Sequence, residues 1–211
     1  MPHPFPLSLK FGTLAGGLGS FPFDDETYLP PSASHGIVSD PIVHVGLSAM
    51  MRKHKVDRLE NLPIPKSLRD LQTRPYTIAV LRNSRSHLFA NVALKRADKE
   101  LILCETIDEA IERITLSGMN RLAHVLVISA ATAILLKEAH SDRVQALFTD
   151  RASFLEVSQN CLLARSDWPE LLPPVNQSIQ YLIRTGALEQ LYHKWIPKPL
   201  REALLLPGTL S

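Results

Sequence analysis

One turn in the sequence combines the residue types that could hold a small anion. Residues 81–87 (LRNSRSH) follow a predicted strand and precede a predicted helix. Ligands of parallel α/β sheets bind at the carboxyl ends of strands, and the first turn of a helix offers unpaired N–H groups and partial positive charge. Ser84 and Ser86 add hydroxyl groups, and Arg85 adds a guanidinium that can bind a carboxylate through two hydrogen bonds. The turn is therefore a candidate anion site, with an ordinary capped turn as the alternative.

Sequence motifs of known enzyme classes are absent. The chain has no GxxxxGK phosphate loop, no GxGxxG after a strand and no GxSxG elbow. Its eight histidines include no pair at the i, i+4 spacing of a helical metal site. The acidic run at 24–26 is more typical of a solvated loop than of a catalytic carboxylate pair. We therefore expect no catalysis, no cofactor and no metal.

Charge and cysteine content narrow the class of partner further. The 211 residues are 45% hydrophobic, with 23 Lys and Arg against 21 Asp and Glu. A net charge of +2 gives no reason to expect nucleic acid or an anionic membrane as the main partner. Cys104 and Cys161 lie too far apart for a zinc or redox pair. They are either two buried free thiols, which we favour, or one disulfide.

Neither a membrane span nor a targeting signal is expected in the chain. The longest apolar run, 122–136, is interrupted by His124 and falls short of the ~20 residues that cross a bilayer. The N-terminal residues MPHPFPLSLKFG lack the basic stretch and apolar core of a signal peptide.

Hydrophobic periodicity predicts the elements that position the turn. Strands are predicted at about 42–51, 76–81, 101–104, 123–128, 144–148 and 155–163. Helices are predicted to about 97 after the turn, from Thr106 to Gly118, and at 130–140, 168–184 and 187–195. Ser84, Thr106, Ser129 and Asp167 are suited to N-cap these helices. The strand–helix alternation from 76 to 140 predicts an α/β lobe with a mainly parallel sheet.

Proline-rich and polar segments suggest the domain organisation. Residues 53–65 are predicted to be a linker, and residues 66–165 an α/β lobe. Residues 1–52 would be the remnant of a first lobe, residues 166–196 helices that pack back, and residues 197–211 a tail. Within the C-terminal helices, we expect Leu188, Leu191 and Trp195 to be anchored by apolar burial.

Four segments follow a recurrent pattern in the same order. They are residues 37–52 (IVSDPIVHVGLSAMMR), 64–71 (IPKSLRDL), 106–128, and 175–195 ending in TGALEQLYHKW. The last is the most specific, with matches at Asn176, Ile179, Leu182, Gly186, Leu188, Leu191, Lys194 and Trp195. Together they resemble the ligand-binding domain of ionotropic glutamate receptors and chemosensory ionotropic receptors, in the type II periplasmic solute-binding protein superfamily.

This resemblance implies a fold and a set of ligand residues. The fold would be α/β and type II periplasmic-binding-protein-like, with one fairly complete lobe and a truncated first lobe that close on a small ligand. The ligand-binding residues would be Thr27 in the first lobe, Ser84, Arg85 and Ser86 in the position of the family's Gly-Ser-Thr, and Ser129 after the strand at 123–128.

Two family features are missing at the aligned positions. The carboxylate-binding arginine falls on Ser32, and no acid follows the strand that ends before Ser129. Such losses resemble those of divergent chemosensory receptors. We therefore predict the ligand-binding region of a divergent ionotropic glutamate receptor-like protein, which binds a small polar or acidic molecule. Three alternatives stay open: a soluble solute-binding protein of a transport system, an enzyme on a similar lobe, and a non-binding remnant.

The same resemblance implies a cellular context. The domain would lie at the extracellular face of the cell membrane, or in the periplasm for a transport protein. Its partners would be a small-molecule ligand, membrane channel segments outside this chain, and further copies in a homo-oligomer.

Overall fold

A computed structural model describes residues 16–22, 36–53, 62–116, 123–165 and 168–207. Contacts divide the chain into two units, which we call the central unit (46–156) and the terminal unit (1–45 and 157–211). The chain passes between them at Val45–Gly46 and at Glu156–Val157. Which segments act as lobes, linker and tail stays a prediction.

The elements follow one another along the described chain as strands and helices. The strands are β1 (Gly16–Pro22), β2 (Gly36–Arg52), β3 (Ile78–Leu81), β4 (Leu101–Cys104), β5 (Val125–Ser129), β6 (Val144–Leu147), β7 (Glu156–Arg165) and β8 (Leu204–Leu205). The α-helices are α1 (Leu68–Thr73), α2 (Arg85–Val92), α3 (Ile107–Thr115), α4 (Ala130–Ala139), α5 (Leu172–Arg184) and α6 (Ala187–Trp195). Short 3-10 helices cover Asp98–Glu100, Arg151–Ser153, Pro169–Leu171 and Lys198–Leu200.

The sheet of the central unit is parallel at its centre and antiparallel at one side. β3 pairs in parallel with β4, where Ile78 lies opposite Leu101, and with β5, where Ile78 lies opposite Val125. β2 runs antiparallel to β5 and to β6. The predicted parallel arrangement therefore holds for β3, β4 and β5, whose direct strand–helix connections require a crossover.

Apolar strands with helices on both faces explain the core. Val125 to Ile128 are buried without interruption, as expected for a strand covered on both sides. One buried cluster joins Leu71, Tyr76, Val80, Phe89 and Val127. The other joins Ala79, Ile111, Ile114, Leu126 and Ala133. Each large side chain buried in this way contributes roughly 1.5–3 kcal/mol.

Three predicted N-caps are confirmed by hydrogen bonds. The Ser84 hydroxyl accepts from the His87 N–H at the start of α2. Thr106 caps α3 and Ser129 caps α4 in the same way. The predicted end of α2 near residue 97 is wrong, because the helix stops at Val92 and Lys95 adopts a left-handed conformation with φ 54°. The predicted cap Asp167 lies outside the described residues.

The terminal unit contains helices α5 and α6 together with strands from both ends of the chain. β1 pairs antiparallel with β7, and β8 pairs antiparallel with β2. The Asp40 N–H donates to Oδ1 of Asn176 at 2.8 Å, and Nε2 of Gln180 donates to Oδ2 of Asp40 at 2.9 Å. These bonds fasten α5 to β2. Gly186, with φ 70°, separates α5 from α6 at the residue where the sequence predicts a helix stop.

The predicted burial of Leu191 and Trp195 is wrong. Their side chains are 46% and 69% exposed, whereas Leu188 is half-buried. Tyr192 anchors the end of α6 instead, because its hydroxyl lies within hydrogen-bond distance of the carbonyl oxygens of Arg201, at 2.6 Å, and Leu204. Arg201 donates in turn to the carbonyl of His193, in the last turn of α6, and to that of Ile196, the residue that follows the helix. The returning chain thus packs against Tyr192, and Trp195 remains at the surface beside Lys194.

Candidate functional site

Three helix N-termini lie along one edge of the central unit's sheet. Because β3, β4 and β5 are parallel, their carboxyl ends share this edge, which we call the strand-end edge. Each of the three strands leads directly into a helix capped by Ser84, Thr106 or Ser129. The partial positive charges and unpaired N–H groups of three helices are therefore collected at one edge.

The two serines of the β3–α2 turn are used to build the turn. The Ser84 hydroxyl donates to the Leu81 carbonyl at 2.6 Å and lies 2.7 Å from the Ser86 hydroxyl, which is buried. Asn83 takes a left-handed conformation with φ 56°. This geometry fixes the direction in which α2 begins and leaves Arg85 as its first residue.

The neighbouring histidine is held by hydrogen bonds on both ring nitrogens. Nδ1 of His87 accepts from the Asn83 N–H at 3.2 Å, and Nε2 lies 3.0 Å from Oδ1 of Asp98. Hydrogen bonds from His87 and Asn91 lower the pKa of the Asp98 carboxyl. Both ring nitrogens are therefore engaged, and His87 connects the turn to Asp98.

Arg85 forms an ion pair with Glu156, the first residue of β7. The two side chains are only 15% and 28% exposed. Burial raises the pKa of the Glu156 carboxyl above its ordinary value, and the charge of Arg85 offsets part of this effect. The second carboxylate oxygen, Oε2, is shielded and has no hydrogen-bond partner within the described part of the chain. The turn therefore already holds a carboxylate of its own.

Strand pairing places Glu156 at the strand-end edge. The N–H of Leu155 donates to the Leu47 carbonyl at 2.9 Å, and Leu47 lies opposite Ser129 in the β2–β5 pair. Ser129 in turn caps α4, with its hydroxyl 2.7 Å from that of Thr132. Strand pairing thus links the start of β7 to the cap of α4, and the ion pair of Glu156 with Arg85 links it to the start of α2.

A second ion pair at this edge differs in exposure. Nε of Arg82, just after β3, lies 2.5 Å from Oε1 of Glu105, just after β4. Both side chains are exposed to solvent, so this pair contributes little to stability. It provides a useful comparison for the buried pair of Arg85 and Glu156.

The predicted ligand residues are partly brought together. Ser84, Arg85 and Ser129 lie at the strand-end edge, and Ser86 lies beneath it. Thr27 lies outside the described residues. The binding role of all five stays a prediction. Sequence reasoning missed Glu156, although a lone acidic residue within the apolar run FLEV was a usable signal.

A cavity of about 400 Å³ in the terminal unit has a different character. Its lining is almost wholly apolar and consists of Ile42, Leu162, Pro174, Val175, Ser178, Ile179, Leu182 and Leu188. The one lining hydroxyl, of Ser178, donates to the Pro174 carbonyl at 2.8 Å. Because none of the lining residues that the structure describes carries a charge, this cavity does not suit a zwitterion.

Both cysteines are buried free thiols, as the sequence favoured. Burial raises the pKa of Cys104 and of Cys161 to about 11, so both are protonated at neutral pH. Among the described residues, no group of three or more His, Cys, Asp or Glu side chains could hold a metal ion. Within the same ranges, no helix is long and apolar enough to cross a membrane.

Comparisons with known proteins identify the fold. No protein-family model matches the chain, and no curated protein sequence matches it. The solved structures that match the chain include a histidine kinase sensor domain with similarity to periplasmic binding proteins. Its TM-score is 0.68 at 16% identity, and the match covers 97% of this chain and 76% of that one. The matching structures also include the substrate-binding protein of an amino acid ABC transporter (TM-score 0.64, 18% identity, 92% and 75%). A third is the GluR0 ligand-binding core from Nostoc punctiforme in complex with L-glutamate (TM-score 0.59, 19% identity, 90% and 76%).

These neighbours are a substrate-binding protein of a transporter, a receptor ligand-binding core, and a sensor domain that is similar to periplasmic binding proteins. The chain has the same α/β, periplasmic-binding-protein-like fold, which confirms the predicted fold class. Identities of 20% or less show the fold alone.

Proposed function

We propose that the chain is a ligand-binding domain that holds a small molecule of the amino-acid class at the strand-end edge of the central unit. The observation that carries the proposal is the meeting of three helix N-termini with the buried pair of Arg85 and Glu156. Such an edge offers donors and both signs of charge, as a zwitterion requires to replace its lost hydration. Neighbours of the same fold were solved with glutamate, serine, arginine or glutamine, which supports this class of ligand.

Within this class, we propose the ligand-binding region of a divergent ionotropic glutamate receptor-like protein. The four sequence segments support this assignment, and so does the similarity to glutamate receptor ligand-binding cores. A soluble solute-binding protein of a transport system is the second candidate, favoured by the similarity to the ABC transporter protein. An extracellular or periplasmic location fits both, and adjoining channel segments and a homo-oligomer fit the first.

The proposed role includes no chemical conversion of the ligand. This part rests on the missing enzyme motifs in the sequence. Incubation of the chain with each bound amino acid, followed by mass spectrometry, should return the ligand unchanged. A product whose formation is lost after a single substitution would overturn this part of the proposal.

Isothermal titration of the purified chain with the twenty amino acids tests the binding proposal. We expect saturable one-to-one binding of at least one amino acid, and at least tenfold weaker binding in the Arg85→Ala variant. Arg74→Ala is the matched control, because Arg74 pairs with Asp70 at 3.0 Å and precedes β3, at the opposite end of that strand. No binding at millimolar concentrations, or equal losses in both variants, would contradict the proposal.

A further inference from the structure

We propose that Glu156 determines the class of ligand at the strand-end edge, by holding an internal carboxylate where an acidic ligand group would otherwise meet Arg85. The side chain of the ligand is then neutral or basic, which excludes the acidic part of the polar or acidic class that the sequence suggests. This inference rests on the proposed function and adds the specificity of the site.

The ion pair of Arg85 and Glu156 lies at the N-terminus of α2. Arg85 is the first residue of α2, so its guanidinium and the free N–H groups of the helix belong to the same end of the element. These are the groups that attract an anion to a helix N-terminus. Glu156 reaches this position from β7 and forms an ion pair with Arg85 in a largely buried setting. The anion that the turn is built to receive is therefore supplied by the chain itself.

Glu156 would compete with an acidic side chain of the ligand for the guanidinium of Arg85. A side-chain carboxylate of the ligand would have to displace Glu156, which is tethered to the same protein and therefore present at high effective concentration. Exchange of one carboxylate for another forms no additional ion pair. If Glu156 stays in place, the two negative charges must share one guanidinium and repel each other. Either route penalises an acidic ligand.

Oε1 is the carboxylate oxygen of Glu156 that takes part in the ion pair with Arg85. Oε2 of Glu156 has no hydrogen-bond partner in the described ranges of the chain. A carboxylate oxygen can accept hydrogen bonds from an amide, a hydroxyl or an ammonium group. A rotation of the side chain that brings Oε2 to the surface would satisfy this oxygen with a donor from the ligand. The side chains of glutamine and arginine carry such donors, whereas the ionised side-chain carboxylate of glutamate carries none.

The test compares glutamate, glutamine, arginine and glutarate as ligands in isothermal titrations. The wild-type chain should bind glutamine or arginine at least tenfold more tightly than glutamate or glutarate. Glu156→Gln should bring at least a tenfold gain in affinity for glutamate. The double variant Arg85→Gln/Glu156→Gln should lose that gain, because the guanidinium is then absent.

Glu105→Gln is the charge-matched control. It also removes one negative charge from an ion pair beside the same sheet edge, but that pair is exposed. We expect its ligand preference to match that of the wild type. Circular dichroism and thermal unfolding of every variant check that it is folded, and the comparison of ligands on the wild-type chain requires no variant at all.

The outcomes separate this inference from the proposed function. Wild-type chain that binds glutamate as tightly as glutamine overturns the role of Glu156 and leaves the proposed function standing. An equal gain in Glu105→Gln also overturns it, since the effect would then be general electrostatics. If only Glu156→Gln gains glutamate binding, the inference holds even where the wild type binds none of the four. If neither binds any of them, the inference fails together with the amino-acid ligand.

Discussion

Substitution of Gly46 by alanine should destabilise the central unit through one steric contact. Gly46 lies in β2, and a Cβ added there would stand 2.5 Å from Cγ and Cδ2 of the Phe154 ring and 2.6 Å from Cε2. Carbon atoms in good contact lie about 3.5–4.0 Å apart, so the ring would have to move by about 1 Å. Gly46 has no positive φ, so the cost is steric and not conformational.

The expected change in the free energy of unfolding is the difference between a steric cost and an entropic gain. Overpacking of this kind costs about 1–3 kcal/mol. Replacement of glycine by alanine within a strand otherwise recovers about 0.5–1 kcal/mol, because alanine loses less conformational freedom on folding. At the middle of these ranges, the net loss in the free energy of unfolding is about 1 kcal/mol.

Urea unfolding of a double-mutant cycle measures this term. The four proteins are the wild type, Gly46→Ala, Phe154→Ala and the double variant, and the coupling energy isolates the contact between the two residues. In the Phe154→Ala background, Gly46→Ala should be neutral or mildly stabilising. A loss of the same size in both backgrounds would refute the assignment of the cost to Phe154. A single variant as stable as the wild type would show that the ring yields freely.

Three further predictions concern residues away from this contact. At pH 8, Cys104 and Cys161 should react with Ellman's reagent far more slowly in the native chain than in the unfolded one, because burial raises both pKa values to about 11; rapid stoichiometric reaction in the native state would contradict this. Thr106→Ala should lower the free energy of unfolding by about 1 kcal/mol through loss of the α3 cap, while Thr106→Ser should keep most of it, and equal losses would exclude the hydroxyl as the cause. Trp195→Ala should change the unfolding free energy by no more than about 0.5 kcal/mol, since the ring is 69% exposed, and a loss above about 2 kcal/mol would reveal burial.

Local chemistry allowed much of the central unit to be predicted from the sequence. The bounds of β4 agree with the prediction, and Ser84, Thr106 and Ser129 cap their helices as their side chains suggest. Capping and strand periodicity depend on residues within a few positions of each other, so the sequence displays them directly. In the terminal unit, α6 also has its predicted bounds, because Gly186 marks its start clearly.

Features that depend on distant residues could not be predicted in this way. The sequence suggested that Arg85 binds an anionic group of a ligand, because nothing local shows that Glu156 reaches it from β7. Tyr192 replaces Trp195 as the anchor of α6 because the chain turns back after the helix and brings Arg201 and Leu204 to the tyrosine hydroxyl. Both results are long-range pairings that a periodic pattern does not encode.

The central claim is that a small ligand binds at the strand-end edge. A two-dimensional ¹⁵N–¹H titration of the assigned chain with glutamine tests it most directly, because each backbone amide reports its own environment. We expect saturable shifts concentrated at the amides of residues 84–87, 106–109, 129–132 and 156, with one common dissociation constant. Saturable shifts confined to the apolar cavity of the terminal unit, or no saturable shifts with any amino acid, would contradict the account.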